Sequence, residues 1–286
     1  VSIGKYAFAN TAISTISVGN NVVIGDYAFY KTNNVTSITL PEGAVVGKYA
    51  FADSVATSIT FSGANIVLDD YAFTNNDSIT SIDLTNVKSV GEGTFAGCGR
   101  LENATLGSNI TKLTDSLFFE CIALKSIDLT GVTSIGASTF EGCLVLKTVS
   151  NTNTLSTIGT RAFVNTFALK SIDLSNVKEM NELAFANSGV VTVSLDLIEK
   201  LGNDVFSGAQ SLTTVVLNEN LTELAQGAFY NCISLKTINT ENLVTIKAMA
   251  FAGCSGLTKV TLTNAITLEE YAFYASGLAR ATLPAT

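Results

Sequence analysis

The chain has 286 residues, of which 47% are hydrophobic and 14% charged, so it carries ample apolar surface for a core and lacks the composition of a disordered segment. Its formal charge of −8 argues against a sequence-independent grip on nucleic acid, which needs a basic stripe, and against an anionic membrane surface. It contains no histidine, which removes the commonest general base and metal ligand, and no tryptophan, the side chain best suited to stacking on flat ligands.

The chain opens at Val1-Ser-Ile3-Gly4, in the middle of a repeat, and the first anchor follows at Phe8. Phenylalanine then recurs at Phe29, Phe51, Phe73, Phe95, Phe118, Phe140, Phe163, Phe185, Phe206, Phe229, Phe251 and Phe273, in phase to the end. A period in the low twenties is the mark of a solenoid. The unit from Leu124 to Cys143 shows the pattern. Leu124-Lys-Ser-Ile127-Asp-Leu129 alternates apolar and polar residues, which predicts a half-buried strand. Val132-Thr-Ser-Ile135-Gly136 predicts a turn, and Thr139-Phe140-Glu-Gly-Cys143 a single helical or 3₁₀ turn. One unit cannot bury its apolar side alone, whereas stacked units share a continuous core. The expected architecture is therefore one leucine-rich-repeat solenoid over residues 1–286, with thirteen repeats, a parallel sheet on a concave face and short helical turns on the convex one.

The other special residues fall into this phase. All eight tyrosines lie two residues before an anchor (Tyr6, Tyr27, Tyr49, Tyr71, Tyr271) or one after (Tyr30, Tyr230, Tyr274), and only Phe61, Phe119 and Phe167 are phenylalanines outside the anchor column. Cys98, Cys121, Cys143, Cys232 and Cys254 each follow an anchor by three, where other repeats carry Thr, Ser or Ala. That position predicts small buried side chains and free thiols; an odd count and free replacement by Ser or Thr disfavour a disulfide framework. Neither a zinc cluster nor a calcium ladder fits one ligand per repeat, so no cofactor or metal is expected.

The residues between the inward Ile and Leu of each strand face out. Asp83, Thr105, Asp128, Ser150 and Asp173 occupy the middle of that column, with Lys125, Lys147 and Lys170 near the strand starts. This hydroxyl and mixed-charge face is the candidate partner-binding surface. The same composition also suits an exposed strand face that only has to stay soluble. Asn-x-Thr triplets such as Asn34-Val-Thr36 arise by chance in a chain this rich in Asn and Thr. The terminal Leu283-Pro284-Ala285-Thr286 looks like the start of a cell-wall sorting signal, but its Leu-Pro falls at the repeat phase of Leu40-Pro41.

These motifs resemble the BspA-type, or Treponema-type, leucine-rich repeats, whose unit runs Leu-x-x-Ile-x-Leu-Pro, then Ile-Gly, then Ala-Phe-x-x-Cys. The resemblance is carried by Thr94-Phe95-Ala-Gly-Cys98, Thr139-Phe140-Glu-Gly-Cys143, Ala228-Phe229-Tyr-Asn-Cys232 and Ala250-Phe251-Ala-Gly-Cys254, and it covers the whole chain. The strand-ending Pro of that family survives only at Pro41 and Pro284. What the resemblance implies is a secreted or cell-surface protein that adheres to host proteins or other cells, through a protein or glycan partner. The expected function is thus a non-enzymatic binding module, with a passive rigid spacer as the alternative. The chain itself is expected to be a fragment of a longer surface protein.

Overall fold

The computed structural model describes residues 1–285, and these form a solenoid of short parallel strands with a phenylalanine stack along its core. Each anchor ring lies against the next from Phe8 to Phe273, with centroids 4.8–6.1 Å apart. Phe51 through Phe251 are all fully buried, while Phe8 keeps 39% of its surface exposed. Inward strand residues such as Ile38, Leu40, Ile127 and Leu129 complete the core, and Phe61 is one of them.

The strand expected from Leu-x-x-Ile-x-Leu is present in most coils, for example Ser37–Leu40, Ser126–Asp128 and Thr192–Leu195. These strands make a first ladder. Each coil holds a second strand as well. The segment read as a plain turn pairs with its neighbours as Lys112–Leu113, Ser134–Ile135, Thr157–Ile158, Glu179–Met180 and Lys200–Leu201, a continuous five-stranded sheet. Two paired residues are too few to show a period in sequence, but stacked in register they form a ladder.

The expected helical or 3₁₀ turn around each anchor is not formed: among the described residues there is no helix, and the anchor segments are chains of turns. In the unit of Phe140, Ser138 and Gly142 both take left-handed φ, 52° and 76°, and the same two positions are left-handed in every coil. A right-handed helix cannot run through such a pair. The N–H groups of Ser138, Phe140 and Gly142 donate instead to the next coil, to Thr160, Ala162 and Val164 carbonyls at 2.8–2.9 Å. Those of Glu141 and Cys143 close local turns onto Ser138 and Phe140. Half of the donors a helix would need are spent on stacking.

Both ladders have gaps, and the gaps are staggered. The first ladder is interrupted between Phe61 and Ser81, between Ser150 and Thr192, and between Ile238 and Lys259, while the second is paired at each of those junctions. The second opens between Val90 and Lys112 and between Leu201 and Glu223. There the first is paired, over all four residues from Thr192↔Thr214 to Leu195↔Leu217 in the latter case.

Turn length accounts for the openings. Three coils insert an extra residue between the two ladders: Phe61 to Leu68, Leu106 to Leu113 and Leu217 to Leu224. In the first, Asn65 takes φ 60° and absorbs it, so Val45↔Val67 still pairs and only a bulge appears beyond Ile66. No residue of the other two corners is left-handed, and in both the ladder opens toward the preceding coil. Side-chain amides span the openings, Asn109 donating to the Val87 carbonyl (3.4 Å) and Asn218 to that of Ile198 (3.1 Å). Beside Asn218 the opening is a groove of 580 Å³ floored by Ile198, Leu221 and Ala225.

Candidate functional site

The central face of the first ladder is built from Ser81–Asp83, Asn103–Thr105, Ser126–Asp128 and Thr148–Ser150, four parallel strands in one sheet. Register puts Asp83 beside Thr105 and Asp128 beside Ser150 in one column, and Ser81, Asn103, Ser126 and Thr148 in the next. Their inward neighbours Ile82, Ile127 and Val149 are buried, which forces these polar side chains outward. Asp83, Thr105 and Asp128 are exposed and Ser150 is half-buried.

The aspartates are partly committed to the fold. Asp83 Oδ1 accepts from the Thr85 N–H (2.9 Å) and hydroxyl (2.5 Å), and Asp128 Oδ1 accepts from the same two groups of Thr130 at 2.8 and 2.7 Å. Asp173 accepts from the Ser175 N–H at 3.0 Å. Each carboxylate thus closes the turn that ends its strand segment. These donors favour the charged form and hold all three carboxyls below the usual range: the Thr85 hydroxyl chiefly for Asp83, the Thr130 hydroxyl and then the Asn151 amide for Asp128, the Ser175 N–H for Asp173.

Asp173 does not share the sheet. Asn151, at φ 57°, bulges out of the coil before it and sends Thr152 into the core in place of a leucine. The Thr152 hydroxyl then donates to the Asp173 carbonyl (2.8 Å), whereas Leu129 uses its N–H for the matching bond to Ser150. No strand is formed at 171–174. Asn151 also donates its amide to Asp128 Oδ2 at 2.9 Å, so a residue absent from the expected site holds its central carboxylate. Only the 23-residue spacing from Phe140 to Phe163 hints at this insertion.

The lysines differ from one another. Lys125 pairs with Glu102 at 2.5 Å, Lys170 donates to the Phe167 carbonyl at 3.1 Å, and Lys147 has no ion-pair partner among the described residues. The expected site therefore divides. Asp83, Thr105, Lys125, Asp128, Lys147 and Ser150 share one continuous sheet face, and Lys170 and Asp173 stand beyond its edge. Chemically the face offers hydroxyls that donate and accept, the second carboxylate oxygen of Asp83, and one uncommitted ammonium.

The cysteines are all free and buried. Each thiol donates to the carbonyl of the anchor one coil earlier, from Cys98 to Phe73 (3.4 Å) through to Cys254 to Phe229 (3.0 Å). Burial pushes these thiols up, to about 12 at Cys98 and Cys254. They are neutral donors in the stack.

A profile of the BspA-type leucine-rich repeat region, six copies long, matches residues 1–125, 66–192 and 190–286. The chain belongs to the BspA-type leucine-rich-repeat family. Its solenoid is similar to that of a leucine-rich repeat protein from Bacteroides ovatus, at 21% identity and a TM-score of 0.79 over 99% of this chain and 78% of that one. It is also similar to a leucine-rich cell surface protein from Faecalibacterium prausnitzii, at 22% identity and a TM-score of 0.55, covering all of this chain and 83% of that one. At such identities the shared property is the BspA-type fold. No match of significance is found among curated proteins.

Proposed function

We propose that this chain is a non-enzymatic binding module displayed on a cell surface, which takes hold of an extracellular protein or glycan with the first-ladder face from Ser81 to Ser150. The observation that carries this reading is the in-register sheet of four strands whose outward columns are wholly polar and whose Lys147 ammonium has no ion-pair partner among the described residues. Repeats that stack in one dimension present such a face over a length no single loop provides. A cell-surface place is supported by the F. prausnitzii relative, a cell surface protein by name. Adhesion to host or microbial surfaces is the use that the family resemblance suggests.

A passive spacer is the competing reading, favoured by the commitment of Asp83 and Asp128 to their own turns. The test avoids those structural carboxylates. Ser150→Arg and Lys147→Glu place bulk and opposite charge on the face without touching a turn. Against a panel of matrix proteins, glycans and host cells, saturable capture by the wild type that the double variant loses supports the binding face. Capture that the double variant retains moves the site elsewhere, and no capture at all favours the spacer.

A further inference from the structure

A second site lies on the turn face, away from the first ladder. Tyr230, Ala252 and Tyr274 each follow an anchor by one residue in three consecutive coils. Hydrogen bonds from Asn231 to the Ala252 carbonyl and from Gly253 to the Tyr274 carbonyl, both 2.8 Å, hold the three in register. Coils stack about 4.8 Å apart, so the two tyrosines stand roughly two spacings apart with only a methyl group between them. The gap is a 300 Å³ cleft lined by Tyr230, Met249, Ala252, Tyr271 and Tyr274. Tyr271 and Tyr274 meet edge to face, 5.7 Å between centroids and 87° between planes, and form a corner. Nowhere else in the chain do two aromatic residues flank an alanine in this column.

The column two residues before the anchors shows how closely tyrosines pack when consecutive coils each supply one. Tyr6, Tyr27, Tyr49 and Tyr71 stack at 4.8–5.0 Å without a break. In the column one after the anchors, Ala252 leaves a ring-wide space between Tyr230 and Tyr274, and the walls stay open to solvent, Tyr274 at 66% and Tyr271 at 56% exposure.

The lining selects the ligand. It has no charged side chain, and Glu269, on the neighbouring corner, already accepts from the Ala248 N–H at 2.9 Å. Tyrosine faces also attract cations, but no carboxylate lines the cleft to reinforce that hold, which makes a quaternary ammonium the competitor to test against. Three phenols and a thioether present apolar ring and sulfur surface together with phenolic hydroxyls, which suits a ring with C–H faces and a girdle of hydroxyls. We propose that this cleft is a monosaccharide-sized subsite that holds one neutral pyranose ring of a glycan over Ala252, between Tyr230 and Tyr274. It is independent of the first-ladder face and stands whether or not that face binds.

The whole chain is titrated with methyl β-D-glucopyranoside, methyl β-D-galactopyranoside and N-acetylglucosamine, following tyrosine emission, which no tryptophan obscures, and saturation transfer to the sugar protons. Tetramethylammonium and N-acetylphenylalanine amide are the counter-probes. Saturable binding of a pyranoside is expected, weakened at least about tenfold by Ala252→Tyr, which fills the space, and likewise by Tyr274→Ala, but not by Tyr30→Ala. Should Ala252→Tyr fail to fold, Tyr230→Ala and Tyr274→Ala decide. Absence of pyranoside binding, binding that survives closure of the cleft, or preference for either counter-probe overturns the proposal.

Discussion

The junction between Leu201 and Glu223 and the face between Ser81 and Ser150 are made of the same repeat and behave as opposites. In the first, one residue too many in the corner Leu217 to Leu224 parts the second ladder and leaves a groove, while Thr192–Leu195 and Thr214–Leu217 keep the coils together on the other side. In the second, the corner Leu106 to Leu113 is equally long and parts the second ladder between Val90 and Lys112, yet the four strands of the first ladder remain one unbroken sheet. A solenoid tolerates irregular units because each pair of coils is joined more than once, and one ladder suffices where the other fails. Local features of this kind are where a repeat protein departs from uniformity, and they lie next to its most regular surface rather than in place of it.

The anchor stack is common to both regions, so its loss is expected to have the largest effect. Phe140→Ala should destabilise by about 3–5 kcal/mol in denaturant unfolding through the cavity it leaves, whereas Phe8→Ala, already part-exposed, should cost far less. Equal losses at the two sites would mean that the stack does not carry the stability assigned to it.

The opened ladder makes a finer prediction. In the closed part, Gly202 donates to Met180 and Lys247 to Leu224, at 2.8 and 3.0 Å, but Ala225 has no such bond back to Leu201 among the described residues. Hydrogen exchange should therefore be faster at Ala225 than at Gly202 or Lys247. Deleting Asn220 should restore the shorter corner and slow exchange at Ala225 about fivefold, as expected for one hydrogen bond of roughly 1 kcal/mol. Unchanged exchange would show that corner length is not what parts the strands.

The smallest expected effect is electrostatic. Asp83, Asp128 and Asp173 have carboxyls held below their unfolded range, so their contribution to stability is present above that range and is lost as pH falls through the lower folded values. Melting temperature should decline between about pH 5 and pH 2, and more steeply in the wild type than in a variant with all three changed to Asn. An identical decline in both would assign acid sensitivity to other carboxylates, with Asp70 and Glu141 next in line because Lys48 and Arg161 bind them.

Much of this molecule was legible from residue spacing. The anchors, the inward Ile and Leu, the buried thiols and the outward polar column are set by side-chain chemistry at a fixed period, and a period survives any local irregularity. The helical turn that the sequence suggests at each anchor does not form, although its segment has helix-compatible residues. What forbids a helix is the left-handed φ at Ser138 and Gly142, adopted because their N–H groups find carbonyls in the next coil. Gly93 shows the same dependence on a neighbour: a Cβ there would come within 2.2 Å of the Tyr71 ring.

The sequence by itself determined the repeat, the core and which side chains face solvent, because each follows from a residue's own polarity and position in the period. Only the tertiary structure decided where strands pair, that the second segment of each unit is a strand, that Asp173 leaves the sheet while Asn151 joins the site, and that Tyr230 and Tyr274 enclose a cleft. Those outcomes depend on comparing one coil with the next, where a single extra residue in a corner moves a backbone group out of hydrogen-bond reach.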